Sequence, residues 1–254
     1  MRLGVVSDVH GNLPALKAVV VDAGRTDGWL NLGDIVSGPL WPEQTAAWLM
    51  EQRELSWLTI AGNHERQLLD GDPQAMGASD RFARERLTHE QLVWLANLPE
   101  TMNPFPGLMC VHGTPQSDLI YLLETVSTAG SRAARPDEVL SRLGESVELA
   151  PDTSLLLCGH SHLPRDMQID SLRLGNPGSV GLQAFEHDWP YLHIAQTGSP
   201  HARYAVISLV AGVWQLELRQ VAYDHLAAAH KAKSEGFGDW AHALATGHAG
   251  TSVA

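Results

Sequence analysis

Cysteine is nearly absent from this 254-residue chain, which has only Cys110 and Cys158. Two thiols cannot build a disulfide framework, and so low a count fits a reducing compartment. Lysine is almost as scarce, at Lys17, Lys231 and Lys233, which we read as coding bias and not function. Positive charge as a whole is short: 17 bases face 29 acids, for a formal net charge of −12. That balance argues against a nucleic-acid binder, which needs a basic face for phosphates. It also means that an anionic substrate must be drawn in by local positive charge, such as a metal ion. No run of about 18 apolar residues is present, so no membrane span is expected. The opening "MRLGVVSDVHG" lacks a basic stretch followed by a long apolar one, so no signal peptide is expected and the expected location is cytoplasmic. With 44% hydrophobic and 18% charged residues, the chain can bury a sizeable core. Its length suits a single domain over 1–254.

Histidine, by contrast, is plentiful at 13 residues, and two of them stand one residue apart in "GHSH", 159–162. Their meaning depends on where the strands end. "RLGVVS" (2–7) reads as a buried strand, followed by a helix with Asn12 as cap and Pro14 in its first turn. "WLNLGD" is a second strand, "PEQTAAWLMEQREL" a helix, and "SWLTIAGNHE" a third strand running into polar residues. This alternation predicts a parallel α/β layout. Residues 74–98 read as helical, with Thr88 and Gln91 in a capping-box pattern. "GLMCVHG" and "TSLLLCGHSH" are further buried strands, and the segment between them, about 117–150, has a helical pattern and reads as a cap insertion over the site. "MQIDSLRLGNPGSV" predicts a hairpin, and "RYAVISLVAGVWQLELRQV" a second one turning at Ala211-Gly212. The tail, about 223–254, is alanine-rich and reads as helical.

Five of these strands lead, at their C-terminal ends, into metal-type ligands: Asp8 with His10, Asp34, Asn63 with His64, His112, and His160 with His162. Layered α/β folds gather ligands beyond the carboxyl ends of their strands. Two aspartates, one asparagine and four histidines make seven oxygen and nitrogen donors. That is too many for one tetrahedral zinc and suits two divalent ions sharing a carboxylate, with manganese, iron or zinc as the candidates. Two ions about 3.5–4 Å apart can hold a hydroxide and clamp a phosphoryl group for in-line attack.

In that order, "DVHGN", "GDIVSGP", "GNHE", "VHGTP" and "GHSH" resemble the motif series of the calcineurin-like metallophosphoesterases, from residue 3 to about 182. "LGNPGSVGL" resembles a stretch of the small bacterial and archaeal branch. The resemblance implies a two-sheet α/β sandwich flanked by helices, with the hairpins after 165 building the second sheet. It implies a first ion on Asp8, His10 and His162, and a second on Asn63, His112 and His160, with Asp34 bridging. The two histidines of "GHSH" would then serve different ions. His64 would touch the substrate phosphate without ligating metal, as proton donor or charge stabiliser; Asn63 and, less directly, Asn12 are the other substrate contacts it suggests. The chain departs from the protein-phosphatase branch, which usually carries an arginine soon after "GD"; "GDIVSGPL" has none.

The function expected is therefore hydrolysis of a small phosphomonoester or phosphodiester, nucleotides included, by a metal-bridging hydroxide. A protein Ser/Thr phosphatase is the alternative. A metal-bound scaffold without turnover is a reading of another class, and the complete ligand set argues against it. The segment 183–201 reads as a surface loop or a contact between copies, with a lid as the alternative. Arg132 and Arg135 read as solvated charges rather than a grip on a second phosphate. Cys110 and Cys158 read as core thiols. The apolar arms of the late hairpin suit either the core or a homo-oligomer interface.

Overall fold

Strand alternation sorts the apolar residues into layers. In β1 (Arg2–Val6), Leu3 and Val5 face a core between two sheets, whereas Val6 faces a separate core beneath helices. The computed structural model describes residues 1–52, 56–70, 72, 76–144 and 152–250. After β1 come α1 (Leu13–Ala23), β2 (Gly28–Asn31), α2 (Pro42–Glu51), β3 (Trp57–Thr59), α3 (Asn63–Asp70), α4 (Ala78–Arg84), α5 (His89–Ala96), β4 (Thr101–Phe105) and β5 (Leu108–Val111). Next are β6 (Glu124–Ser127), β7 (Gly130–Ala133), α6 (Pro136–Leu143), β8 (Leu155–Leu157), β9 (Arg165–Ile169) and β10 (Leu172–Asn176). The chain closes with β11 (Ala184–His187), β12 (His193–Gln196), β13 (Ala202–Val210), β14 (Val213–Val221), α7 (His225–Ser234) and α8 (Gly238–Thr246). No helix of the described residues is long and apolar enough to cross a membrane.

Two five-stranded sheets form the sandwich, in the orders β14-β13-β1-β2-β3 and β4-β5-β8-β10-β9. Three neighbouring strands of each run parallel: β1, β2 and β3 in one, β5, β8 and β10 in the other. Between the sheets lie Leu30, Leu32, Leu155, Leu157, Ile207 and Trp214, among others. Each large aliphatic buried there contributes about 1.5–3 kcal/mol relative to exposure. Cys110 faces this core while Cys158 faces the opposite side of its sheet, under α6. Burial pushes both thiols up, as expected of core residues.

Several local expectations hold. Asn12 caps α1 by accepting from Ala15 N, and Thr88 and Gln91 form the reciprocal capping box of α5. The late hairpin turns at Ala211 and Gly212, both with positive φ. Others need correction. Of the hairpins after 165, only β9–β10 joins the second sheet; β13 of the late hairpin pairs antiparallel with β1 and so extends the first. That pairing covers the edge of β1 away from β2, which would otherwise present unpaired backbone groups. The segment between β5 and β8, expected to be mostly helical, carries helix α6, and the hairpin β6–β7 precedes that helix. Within 183–201, expected as a surface loop or a contact between copies, β11 and β12 pair as a second small hairpin. Parts of four sequence-based assignments fall outside the described residues: 53–55, 74–75, 145–150 and 251–254.

Candidate functional site

The parallel strands β1, β2, β3, β5 and β8 all deliver their following loops to one end of the sandwich. There the backbone turns sharply. Asp8 (φ 55°), His10 (50°), Asp34 (56°), His160 (66°) and His162 (58°) all take the left-handed conformation that L-residues adopt at a cost. Five strained residues in one place mark a site whose surroundings over-determine it. Loop-to-loop hydrogen bonds supply that constraint: Asp8 N donates to Gly33 O at 3.0 Å, His10 N to Asp34 O at 3.0 Å, and Gly159 N to His112 O at 2.7 Å. Gly33, with φ 96°, lies so close to Gly62 that a Cβ would collide with its backbone. The "LGNPGSVGL" stretch props the site from beneath. Gly181 N donates to Asp8 O at 2.9 Å, Ser179 Oγ donates to Asp8 O at 2.9 Å, and Asn176 Nδ2 donates to Gly159 O at 2.7 Å.

Two clusters result. Ligand atoms of Asp8, His10 and His162 lie within 4.8 Å of one another, and so do those of Asp34, His112 and His160. The outer nitrogens of the histidines decide which inner nitrogens carry lone pairs. His10 Nδ1 donates to Ser37 O at 2.6 Å, His112 Nδ1 to Leu32 O at 2.7 Å, and His162 Nδ1 to Leu182 O at 2.7 Å. A carbonyl only accepts, so each Nδ1 bears the proton and each Nε2 is left for ligation. His160 is turned the other way: its Nε2 donates to Leu119 O at 3.1 Å, leaving Nδ1.

This arrangement fits cations. His10 Nε2 and His162 Nε2 stand 3.0 Å apart in a buried site, two lone pairs facing one another. Both carboxylate oxygens of Asp8 are buried and make no hydrogen bond among the described residues, although Oδ1 lies 3.3 Å from His162 Nε2. His112 Nε2 lies 3.1 Å from both Asp34 Oδ2 and Asn63 Oδ1. So many acceptors converging in a buried space call for positive charge, and divalent ions match the donor types. Protons partly fill that role in the bare site. Burial disfavours charge on His112, yet the Asp34 carboxylate outweighs it and raises His112 to about 10. Burial lowers His10 to about 4, with His162 and His64 close by, and burial beside the charged His112 lowers His160 to about 3. Burial also opposes ionisation of Asp34, but His112 and His64 hold that carboxyl well below the usual range.

His64 lies beside the clusters and lines the cavity without belonging to either. Its backbone N donates to Asp34 Oδ1 at 3.0 Å, and its Nδ1 lies 2.8 Å from Asp80 Oδ1. Burial works against the imidazolium, while Asp34 and Asp80 favour it and raise His64 to about 9. Asn63 lines the cavity too. Asn12 does not reach it: its amide is engaged with Ala15 N, Gly181 O and the Tyr223 hydroxyl. The motif pattern puts Asn12 two residues after His10, but its role as helix cap turns it inward.

The cavity above the clusters has a volume of about 560 Å³. Its walls come from the segment between β5 and β8, from the β11–β12 hairpin and from α8. Three aromatic rings from these walls meet three histidines: Tyr121 on His160 at 4.8 Å, Phe185 on His162 at 4.6 Å and Trp240 on His10 at 5.7 Å between centroids. The Tyr121 hydroxyl also contacts His193 Nε2 at 3.1 Å, tying two of the walls together. Segment 183–201, read mainly as a surface loop, thus forms part of the cavity through Phe185, His187 and Trp189. Arg132 and Arg135 pair with Glu138 and Asp137, while Arg142 lines the cavity.

Sequence reasoning missed Asp80, Tyr121, Phe185 and Trp240, none of which belongs to a recognisable motif. It also passed over Glu65, though "GNHE" contains it. Buried Glu65 accepts from Asp34 N, Ile35 N and Gly62 N, each at 2.8 Å, and so joins the loops after β2 and β3.

Comparison with known proteins agrees with this geometry. The model of the calcineurin-like phosphoesterase superfamily domain matches residues 1–197. A metallophosphoesterase from Sphaerobacter thermophilus is similar in structure, with TM-score 0.73 and 27% identity over 97% of this chain and 100% of that one. A hypothetical protein from Pyrococcus horikoshii shares the fold, with TM-score 0.74 and 20% identity over 98% of this chain and 99% of the other. No curated protein matches the sequence. Both carboxylate–histidine clusters fall within the span matched by the family domain, and the chain belongs to the calcineurin-like phosphoesterase superfamily as a metal-dependent hydrolase.

Proposed function

We propose that this hydrolase cleaves small phosphomonoesters or phosphodiesters, with nucleotides as the first class to test. In this reading Asp8, His10 and His162 hold one divalent ion, and Asn63, His112 and His160 the other, with Asp34 between them. Manganese, iron or zinc so held would supply Lewis acidity, offsetting phosphate charge and activating water. The observation that carries the reading is the 3.0 Å approach of His10 Nε2 to His162 Nε2 while each Nδ1 is tied to a carbonyl.

The chain's own groups would do the rest. Ser37 O, Leu32 O and Leu182 O keep three imidazoles in the tautomer that ligates through Nε2. Asp80 fixes Nδ1 of His64, which leaves Nε2–H to face the ester. From there it can give a proton to the departing oxygen, a contribution of about 10²–10⁴-fold. The aromatic walls exclude water around the ester's organic group and favour a flat or apolar one. A cavity enclosed by three separate walls suits a small ester better than a folded protein.

The test strips the metal and adds back Mn²⁺, Fe²⁺, Zn²⁺ or Mg²⁺, with an aryl phosphate and an aryl phosphodiester as probes. Turnover should return with an ion and fall in His64→Ala at unchanged metal content. No turnover with any ion, on protein that has bound two, would shift the reading to a binding role.

A further inference from the structure

In a chain of net charge −12, three arginines meet on one surface pocket outside the catalytic cavity. Its volume is about 350 Å³, and Arg132, Arg165 and Arg203 line it together with Ser131, Gln196 and Glu124. Two of the guanidinium groups have acid partners. Arg132 donates to both oxygens of Glu138, at 2.9 and 2.6 Å. Arg165 Nε lies 2.5 Å from Glu124 Oε1.

Arg203 has no such partner among the described residues. Its Nε is buried and makes no hydrogen bond among the described residues, and its stem packs over Gly178. Burial pushes its pKa down, and no carboxylate works against that. A partly buried cation without an anion is costly, and here acids outnumber bases, so a partner was readily available to the sequence. Neutral donors stand beside it. Gln196 uses its Oε1 to accept from Ala249 N, which leaves its amide NH₂ to donate, and Ser131 adds a hydroxyl.

We propose that this pocket is an oxyanion site that takes a phosphate group through Arg203 and Arg165, with Ser131 and Gln196 as neutral donors. A tetrahedral phosphate offers acceptor oxygens in several directions, which suits guanidinium forks arriving from β7, from the start of β9 and from β13. A carboxylate offers one plane. The site is separate from the metal clusters but shares Glu124 with the wall of the catalytic cavity. It does not depend on the catalytic reading.

The experiment is calorimetric titration of the metal-loaded full chain with inorganic phosphate, in wild type, Arg203→Gln and Ser131→Glu. The last variant sets a carboxylate among the arginines and keeps the test open if Arg203→Gln misfolds. Wild type should show a phosphate site that each variant weakens by about tenfold or more, with hydrolysis of an aryl phosphate unchanged. A parallel titration with methylphosphonate separates a site for free phosphate from one for a substituted phosphate group; Arg203-dependent binding of either supports the proposal. Identical isotherms in all three proteins would overturn it, whether they show one phosphate per chain or two.

Discussion

His64 Nδ1 and Asp80 Oδ1 are 2.8 Å apart, and this contact joins the first turn of α3 to α4 at the edge of the cavity. Asp80 is buried, so its carboxylate is committed to the imidazole and not to solvent. Asp80→Asn keeps the size and removes the charge. It should lower kcat about tenfold to a hundredfold, with metal content unchanged. Because the pair would act as a unit, adding Asp80→Asn to His64→Ala should cost little more than His64→Ala alone. A full kcat in Asp80→Asn would show that the contact is only structural.

Glu65 binds three backbone N–H groups from two loops. Glu65→Ala leaves those donors buried and unpaired, at about 1–3 kcal/mol each before relaxation. Urea unfolding of the variant should show a loss of about 3 kcal/mol or more, and its Mn²⁺ affinity should fall because Asp34 and Asn63 lose their shared anchor. An unchanged midpoint would mean that water replaces the carboxylate.

Trp240 meets His10 edge-on and lines the cavity. An aromatic contact is worth about 0.5–1.5 kcal/mol beyond burial. Trp240→Ala should therefore raise KM for an aryl phosphate by about two- to tenfold while leaving glycerol phosphate little affected. Equal losses on both substrates would assign Trp240 to holding His10 in place.

Metal removal should be visible in stability as well as activity. Each ion present at about a thousand times its dissociation constant adds about 4 kcal/mol, so two add about 8 kcal/mol, or roughly 20 °C in Tm for a chain of this size. Differential scanning calorimetry before and after chelation reads this directly, and the shift should shrink strongly in Asp34→Asn. A Tm that ignores the chelator would speak against tight binding by buried ligands.

The metal clusters were legible in the sequence because each candidate ligand follows a strand, and parallel strands bring their ends together whatever the loops do. Asp8, His10, Asp34, His112, His160 and His162, the members of the two clusters, needed only that rule to be placed together, and Asn63 follows β3 beside His112 in the same way. The cavity walls were not legible. Tyr121, Phe185 and Trp240 reach the site from elements whose placement is set by packing, and single aromatics at irregular spacing carry no pattern. Strand β4 escaped notice because Pro104 lies within it; the structure tolerates the proline on an edge strand, where the register shifts between Met102 and Phe105. The hairpin β6–β7 has four-residue strands rich in Thr, Ser and Ala, too short and too polar to show alternation.

The most direct test is anomalous diffraction at the manganese edge from crystals of the Mn²⁺-loaded chain. Two peaks are expected, one among Asp8, His10 and His162 and one among Asn63, His112 and His160, with Asp34 touching both. A single peak, or peaks away from these residues, would contradict the dinuclear centre.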